Sequence, residues 1–131
     1  MRAAFICFFL AGFFATACPC LAADFATDTK TWYDQHAPAF EQAANLSAEG
    51  YPADGNQVLL ALAENDDSPV AAFMIANTLY GSDPAASYRL HLRAQQALPN
   101  ESVVILGAAL EQHRRGEYPA AIVNYRGALN T

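Results

Sequence analysis

The sequence predicts an all-α fold made of antiparallel helix–turn–helix units. Apolar residues recur at spacings of three and four, as on one face of a helix, and no segment alternates apolar with polar residues like a half-buried strand. Short breakers that contain Pro or Gly separate these periodic stretches. Together the three observations indicate six helices of about 11–18 residues, joined by tight turns.

The segment before the first helix has the layout of an export signal. Met1 and Arg2 give a positive start, a strongly apolar and uncharged run follows, and small residues stand at Ala22 and Ala23. This order is typical of a secretory signal peptide, which we predict to cover residues 1–22 and to be cleaved near Ala22–Ala23. The sequence therefore predicts a secreted or periplasmic protein.

Two alternatives stay open for this segment. An uncleaved membrane anchor needs about 20 apolar residues, a length that the run reaches only by counting through Pro19. Residues 15–18 weakly resemble a bacterial lipobox, which implies that Cys18 is acylated and holds the protein at a membrane. All three cysteines lie in this segment, so cleavage leaves a mature chain without disulfides or thiol chemistry.

The first helix is predicted over residues 31–46, where aromatic or apolar positions recur every fourth residue from Trp32 to Ala44. Pro38 lies inside it and is expected to kink or split the helix, because proline removes a hydrogen bond and clashes with the preceding turn. The second helix is predicted over residues 52–63 and ends in a polar, acidic segment.

The next two helices begin with a capping side chain followed by proline. The pairs are Ser68-Pro69 and Asp83-Pro84. Proline is tolerated at the first helical position because the N–H that it lacks has no partner there. The two helices are predicted over residues 69–80 and 84–98.

The last two helices are predicted over residues 101–115 and 119–129. Asn100 is expected to cap the first of them, and Glu111 and Arg115 stand four residues apart in the order that favours an ion pair. The first of these helices is apolar nearly all round, which is typical of a helix that is buried on more than one side.

The helix pairs recur at a regular interval, with a period of about 34 residues. The tripeptide at 51–53 returns two periods later at 118–120, and alanines one period apart stand at Ala61, Ala94 and Ala128. Several residues with this spacing resemble the second helix of a tetratricopeptide repeat, in which alanines let two helices approach and an aromatic fills the gap. They are Ala94 in the middle unit and Gly116, Tyr118, Ala121, Tyr125 and Ala128 in the last unit.

The resemblance implies a short right-handed α-solenoid of about three units. After the predicted signal peptide (1–22), the chain is expected to contain a lead-in helix pair or degenerate repeat (23–67) and a repeat domain of two helix pairs (68–131). In that family the first helices line a groove that binds protein segments, and Ala72 and Ala76 are expected to line it here. The partner contacts expected on this basis are Asn77, Tyr80, Leu106, Leu110, His113 and Arg114.

The last helix pair raises the question of what covers it. End repeats usually have a polar outer face or a capping helix, and the sequence predicts neither here. We expect this surface to contact another protein or peptide, to pair with a second copy, or to belong to a shortened version of a longer array.

No catalytic or metal-binding pattern is evident in the sequence. The histidines, His36, His91 and His113, fall in three different units, and phosphate-loop and nucleophile motifs are missing. We therefore expect neither enzyme activity nor a cofactor. Thirteen acidic side chains against seven basic ones, without a basic stripe, argue against nucleic acid.

The sequence thus predicts a non-catalytic interaction or scaffolding module exported to the periplasm or cell envelope. Two alternatives, from other classes of protein, stay open for the function. One is a lipid-anchored structural subunit of an envelope complex, acylated at Cys18. The other is an enzyme or metal carrier whose site the sequence does not reveal.

Overall fold

The computed structural model describes residues 24–131, and this part of the chain contains six α-helices and no β-strand. The predicted all-α class is therefore confirmed. The predicted signal peptide, residues 1–22, and with it Cys18, lie outside the described residues. The helices are α1 (Phe25–Ala48), α2 (Pro52–Asn65), α3 (Pro69–Leu79), α4 (Pro84–Ala97), α5 (Ser102–Arg114) and α6 (Tyr118–Leu129).

Helices that are consecutive in the chain pack together as three pairs, α1 with α2, α3 with α4, and α5 with α6. The pairs then contact one another mainly through α4 with α5, and through α3 with α1 and α2. The outer pairs, α1–α2 and α5–α6, thus pack on the middle pair. Among the helices of residues 24–131, none is both long and apolar enough to cross a bilayer.

Helix α3 lies at the centre of this packing. Its inward positions are Ala71, Ala72, Ile75, Ala76 and Leu79, all with no exposed surface. The prediction that Ala72 and Ala76 line an open groove is therefore wrong. Their small side chains instead let the surrounding helices approach α3 closely, and burial of the apolar surface stabilises the fold.

The helix starts follow the predicted capping chemistry at two places. The Ser68 side chain accepts a hydrogen bond from the Ala71 N–H (3.1 Å), and Asp83 accepts one from the Ala86 N–H (3.0 Å). The prediction for Asn100 is wrong, because the N-cap of α5 is Glu101 and no side chain caps that helix.

Helix α1 continues through Pro38, so the alternative that this residue splits the helix is wrong. Tertiary contacts hold the helix along its length. Trp32 is buried, stacks on His36 with ring centroids 4.4 Å apart, and donates from Nε1 to the Asp66 carboxylate at 2.6 Å. Asp66 follows α2, so this bond fastens α1 to the end of its partner helix.

The Asp66 carboxylate also accepts a hydrogen bond from the Ser68 N–H at the start of α3 (2.9 Å). Burial alone raises the pKa of Asp66, but the hydrogen bonds from Trp32 and Ser68 outweigh it and hold the pKa below its ordinary value. One side chain therefore connects the end of α2 with α1 and α3.

Candidate functional site

A buried polar cluster links helices α3, α4 and α5. Ser87 and Glu111 have no exposed surface, and His91 is 1% exposed. The Glu111 carboxylate accepts a hydrogen bond from the Ser87 hydroxyl and pairs with the Arg114 guanidinium, and His91 Nδ1 lies 3.3 Å from Glu111 Oε1. Because unpaired buried polar groups cost free energy, these contacts stabilise the fold.

Arg114 extends this cluster to the turn between α3 and α4. Its guanidinium donates to the backbone carbonyls of Tyr80 and Pro84, both at 3.2 Å, and lies 4.6 Å from the centroid of the Tyr80 ring. Arg114 therefore fastens the end of α5 to the preceding helix pair while it neutralises Glu111. The predicted ion pair of Glu111 with Arg115 is wrong, because Arg115 bonds Glu117 instead.

Side chains from α3 and α5 enclose the His91 ring. Its Nε2 lies 3.0 Å from Asn77 Oδ1 of α3, and its ring meets the Phe73 ring edge to face with centroids 6.2 Å apart. Burial lowers the pKa of His91 below its ordinary value, although the neighbouring Glu111 acts in the opposite direction. The ring is thus held neutral at neutral pH.

The cluster contains a serine, a histidine and a glutamate but lacks the geometry of a nucleophilic triad. In such a triad the imidazole stands between the other two groups, with one ring nitrogen for each. Here the same nitrogen, His91 Nδ1, faces both Ser87 Oγ (3.4 Å) and Glu111 Oε1 (3.3 Å). Ser87 is also fully buried. The cluster thus joins α3, α4 and α5.

We expect His91 to make the free energy of unfolding depend on pH. Its pKa is lowered in the fold, so the unfolded chain binds the proton first as the pH falls below about 6.5. The stability contributed by the neutral ring is complete above that pH and declines below it. On the enclosing helices, Glu111 and Arg114 are the charged groups near the ring, and Asn77 and Ser87 are uncharged.

Urea unfolding at several pH values between about 7.5 and 5 tests this. The slope of stability against pH is expected to be flatter in a His91→Gln variant than in the wild-type protein. An unchanged slope would show that His91 takes up no proton on unfolding.

A second feature is an exposed apolar strip on α5. Val103, Leu106 and Leu110 are 43%, 42% and 44% exposed. At 100° per residue they fall within about 60° of one another on the helix. The buried positions of α5 span about 200° of the remaining circumference, where they face α3, α4 and α6. The strip therefore lies between α3 and α6, and at Val103 it borders the start of α1, whose Phe25 and Thr29 line a cavity with Val103.

Helix α6 continues this surface. Ile122, Tyr125 and Leu129 share one side of the helix by their spacing, and Ile122 and Leu129 are 49% and 86% exposed. An open cavity of about 250 Å³ joins the two helices and is lined by Ser102, Val103, Leu106, Tyr125, Ala128 and Leu129. We call the C-terminal apolar face the set Val103, Leu106, Leu110, Ile122, Tyr125 and Leu129.

His113 stands at the border of this face. Its ring lies edge to face with Tyr118 and Tyr125, with centroids 5.5 Å and 6.2 Å away, and its Nδ1 is 3.3 Å from the Tyr125 hydroxyl. These polar atoms form one rim of an otherwise apolar surface, the arrangement that protein interfaces have.

The expected partner contacts divide into two groups in the structure. Leu106, Leu110 and His113 lie on or beside the C-terminal apolar face. Arg114, Tyr80 and Asn77 lie toward α3, where Arg114 bonds Glu111 and Asn77 bonds His91. The polar members of the second group thus already have partners within the chain.

The residues that suggested repeat packing also differ in burial. Ala94 and Ala121 are buried, and Tyr125 and Ala128 are half-buried. Tyr118 is 58% exposed, and Gly116 adopts φ +79° in the turn between α5 and α6, a conformation that glycine reaches at low cost.

The polar cluster itself was not predicted from the sequence. The available signals were Ser87 and His91 at a four-residue spacing on one helix, and Glu111 inside a nearly apolar helix. Within residues 24–131, no three His, Cys, Asp or Glu side chains come together in a way that could hold a metal ion.

Comparison of the chain with protein-family models, with curated proteins and with solved structures gives no match.

Proposed function

We propose that this protein is a non-catalytic interaction module that binds a protein through its C-terminal apolar face. The observation that supports this most directly is the exposure of Val103, Leu106 and Leu110 on α5 beside Ile122 and Leu129 on α6. Contiguous apolar surface of this kind is rare on proteins that stay monomeric, and it is typical of surfaces that contact other proteins.

The rigidity of the helices behind this face also favours binding. The buried cluster of Ser87, His91 and Glu111 joins α4 to α5, and Arg114 fastens the end of α5 to the α3–α4 turn. A surface held in one conformation loses little entropy when a partner binds. The module thus acts by binding a partner, and its buried polar groups hold α5, the helix that carries part of the C-terminal apolar face.

We further propose that the stacked helix pairs form a right-handed solenoid of the tetratricopeptide type. The pairing of consecutive helices supports this, and so does the repeat period of about 34 residues.

The order of charge and apolar residues in residues 1–22 supports export to a periplasm or cell envelope. The mass of the chain purified from cells tests export, since cleavage near Ala22–Ala23 removes a defined mass.

Site-specific photocross-linking in cells tests the binding function. A photoreactive amino acid is placed at Leu110 on the C-terminal apolar face and, as a matched control, at Val123. Val123 is apolar and 69% exposed, but it lies about 100° round α6 from Ile122, outside the face. We expect a discrete protein adduct from position 110 and none from position 123.

Either of two results would count against the proposal. One is the absence of any adduct from position 110 although the protein is folded and abundant. The other is the same set of adducts from positions 110 and 123. The mass of the adduct also identifies whether the partner is a second copy or another protein.

A further inference from the structure

Formal charge is distributed very unevenly along the described chain. Residues 24–67, which include α1 and α2, contain nine acidic side chains and one lysine, a charge of −8. Residues 68–131 contain four acidic side chains and five arginines, a charge of +1. None of the six residues that define the C-terminal apolar face is charged. The protein thus has an acidic end, α1–α2, and an apolar face on α5–α6 that contains no charge itself but is bordered by the exposed Arg126, about 40° round α6 from Ile122.

We propose that the occupant of the C-terminal apolar face is the same face of a second copy, in a dimer with a two-fold axis. This inference rests on the proposed function and names its partner. A two-fold contact uses one surface patch on both copies, so it covers both apolar faces at once and the assembly closes at two chains.

The charge distribution favours this arrangement over other contacts between copies. The pair α1–α2 packs on α3, whereas the pair α5–α6 packs mainly on α4. Only the start of α1, with Asp24, comes close to the face, where it shares a cavity with Val103. Joining two copies through α5–α6 leaves the exposed carboxylates of α2, Asp54 and Glu64, in water. Repulsion between charges separated by more than about 8 Å is largely screened at physiological salt.

A head-to-tail contact would be less favourable because it places the apolar face against an acidic surface. Helix α2 exposes Asp54 and Glu64, and α1 exposes Glu41. Covering these carboxylates with Leu and Val side chains removes them from water without a partner, which costs free energy. The same cost opposes a contact through two acidic ends, where like charges also repel.

The shape of the face is compatible with a two-fold contact. It has a protruding residue, Leu129, which is 86% exposed, next to the cavity of about 250 Å³ lined by Leu106 and Tyr125. In a two-fold contact, the protruding side chain of each copy meets the cavity of the other copy. Burial of these side chains from water provides the driving force.

Light scattering after size-exclusion chromatography tests the dimer. The chain is expressed from its full sequence, mass spectrometry establishes the N-terminus of the purified form, and samples are measured from about 1 µM to about 200 µM. We expect the mass of two chains at the upper concentrations. Leu106→Glu should raise the dissociation constant at least about 100-fold, because each dimer would bury two new carboxylates.

Val123→Glu is the matched control, since it introduces the same charge at an exposed apolar position outside the face, and it should leave the dimer intact. Circular dichroism melts establish that both variants fold, and Leu110→Glu replaces Leu106→Glu if the latter does not.

Raising NaCl from about 50 mM to about 500 mM should leave the wild-type dimer unchanged or tighten it, because salt screens the repulsion between like-charged copies.

Three results would overturn the inference. They are a wild-type monomer at every concentration, a dimer that survives both Leu106→Glu and Leu110→Glu, and oligomers that keep growing with concentration as a head-to-tail contact predicts. A monomer whose Leu110 position still cross-links to a different protein would refute the dimer and leave the proposed function intact. A monomer without any such adduct would refute both.

Discussion

Replacing Glu111 with alanine should lower the free energy of unfolding by about 3–5 kcal/mol, the range for breaking a buried ion pair by removing one partner. Glu111 has no exposed surface, and it bonds Ser87 and Arg114 and lies beside His91. Without the carboxylate, the Ser87 hydroxyl still has the Ala76 carbonyl as an acceptor at 2.8 Å, but the Arg114 guanidinium loses its counter-ion. The effect comes from the groups left unpaired more than from the bonds themselves.

Urea unfolding at neutral pH measures this effect, and Asp34→Ala provides the control. Asp34 also pairs with a cation, Lys30, but both side chains are more than half exposed, so its removal should change stability by no more than about 1 kcal/mol. Comparable losses in the two variants would show that Glu111 is not buried as described.

Glu111→Gln separates charge from hydrogen bonding in the same experiment. The amide keeps an oxygen that accepts from Ser87 while it removes the charge that neutralises Arg114. We expect a loss smaller than that of Glu111→Ala, because one of the two buried contacts survives. A loss equal to that of Glu111→Ala would assign the whole effect to the ion pair.

The helices were predictable from the sequence because their signals are local. Ser68-Pro69 and Asp83-Pro84 combine a capping side chain with proline at the first turn, and both begin helices in the structure. The effect of Pro38 was harder to predict, because it depends on contacts that the local sequence does not contain. Trp32 fastens α1 to Asp66, 34 residues further along the chain, and the helix continues through the proline.

The sequence was less informative about which side of each helix faces inward. Ala72 and Ala76 were expected at a groove, but α3 contacts α1, α2, α4 and α5, and both alanines are fully buried. The cluster of Ser87, His91 and Glu111 was missed for the same reason. Ser87 and Glu111 are 24 residues apart, and only the packing of α4 on α5 brings them together. Patterns within one helix cannot predict such contacts.

The close contact between α4 and α5 depends on the absence of a side chain at Gly107. A Cβ atom at this position would lie 2.6 Å from His91 Cδ2 and 2.9 Å from His91 Nε2. The ring has little freedom to move aside, because Asn77, Phe73 and Glu111 enclose it. Gly107→Ala should therefore destabilise the protein by about 1–3 kcal/mol through overpacking, despite the better helix propensity of alanine.

Gly127→Ala is the matched control, because Gly127 also lies inside a helix but has room for a methyl group. The nearest atom to its added Cβ would be Ile105 Cγ2 at 3.8 Å, an ordinary contact distance. This substitution should stabilise the protein by about 0.5–1 kcal/mol, since alanine loses less backbone entropy than glycine in a helix. Urea unfolding of the two variants should therefore give changes of opposite sign.

A double-variant cycle attributes the cost of Gly107→Ala to the imidazole ring. His91→Ala is destabilising alone, because it leaves a cavity and removes a bond to Asn77. Combined with Gly107→Ala, it removes the clash, so the double variant should be more stable than the sum of the two single effects predicts. Strict additivity would mean that the ring and the glycine do not touch. The contact between α4 and α5 would then need another explanation, and so would the rigidity of the helix that presents Leu106 and Leu110.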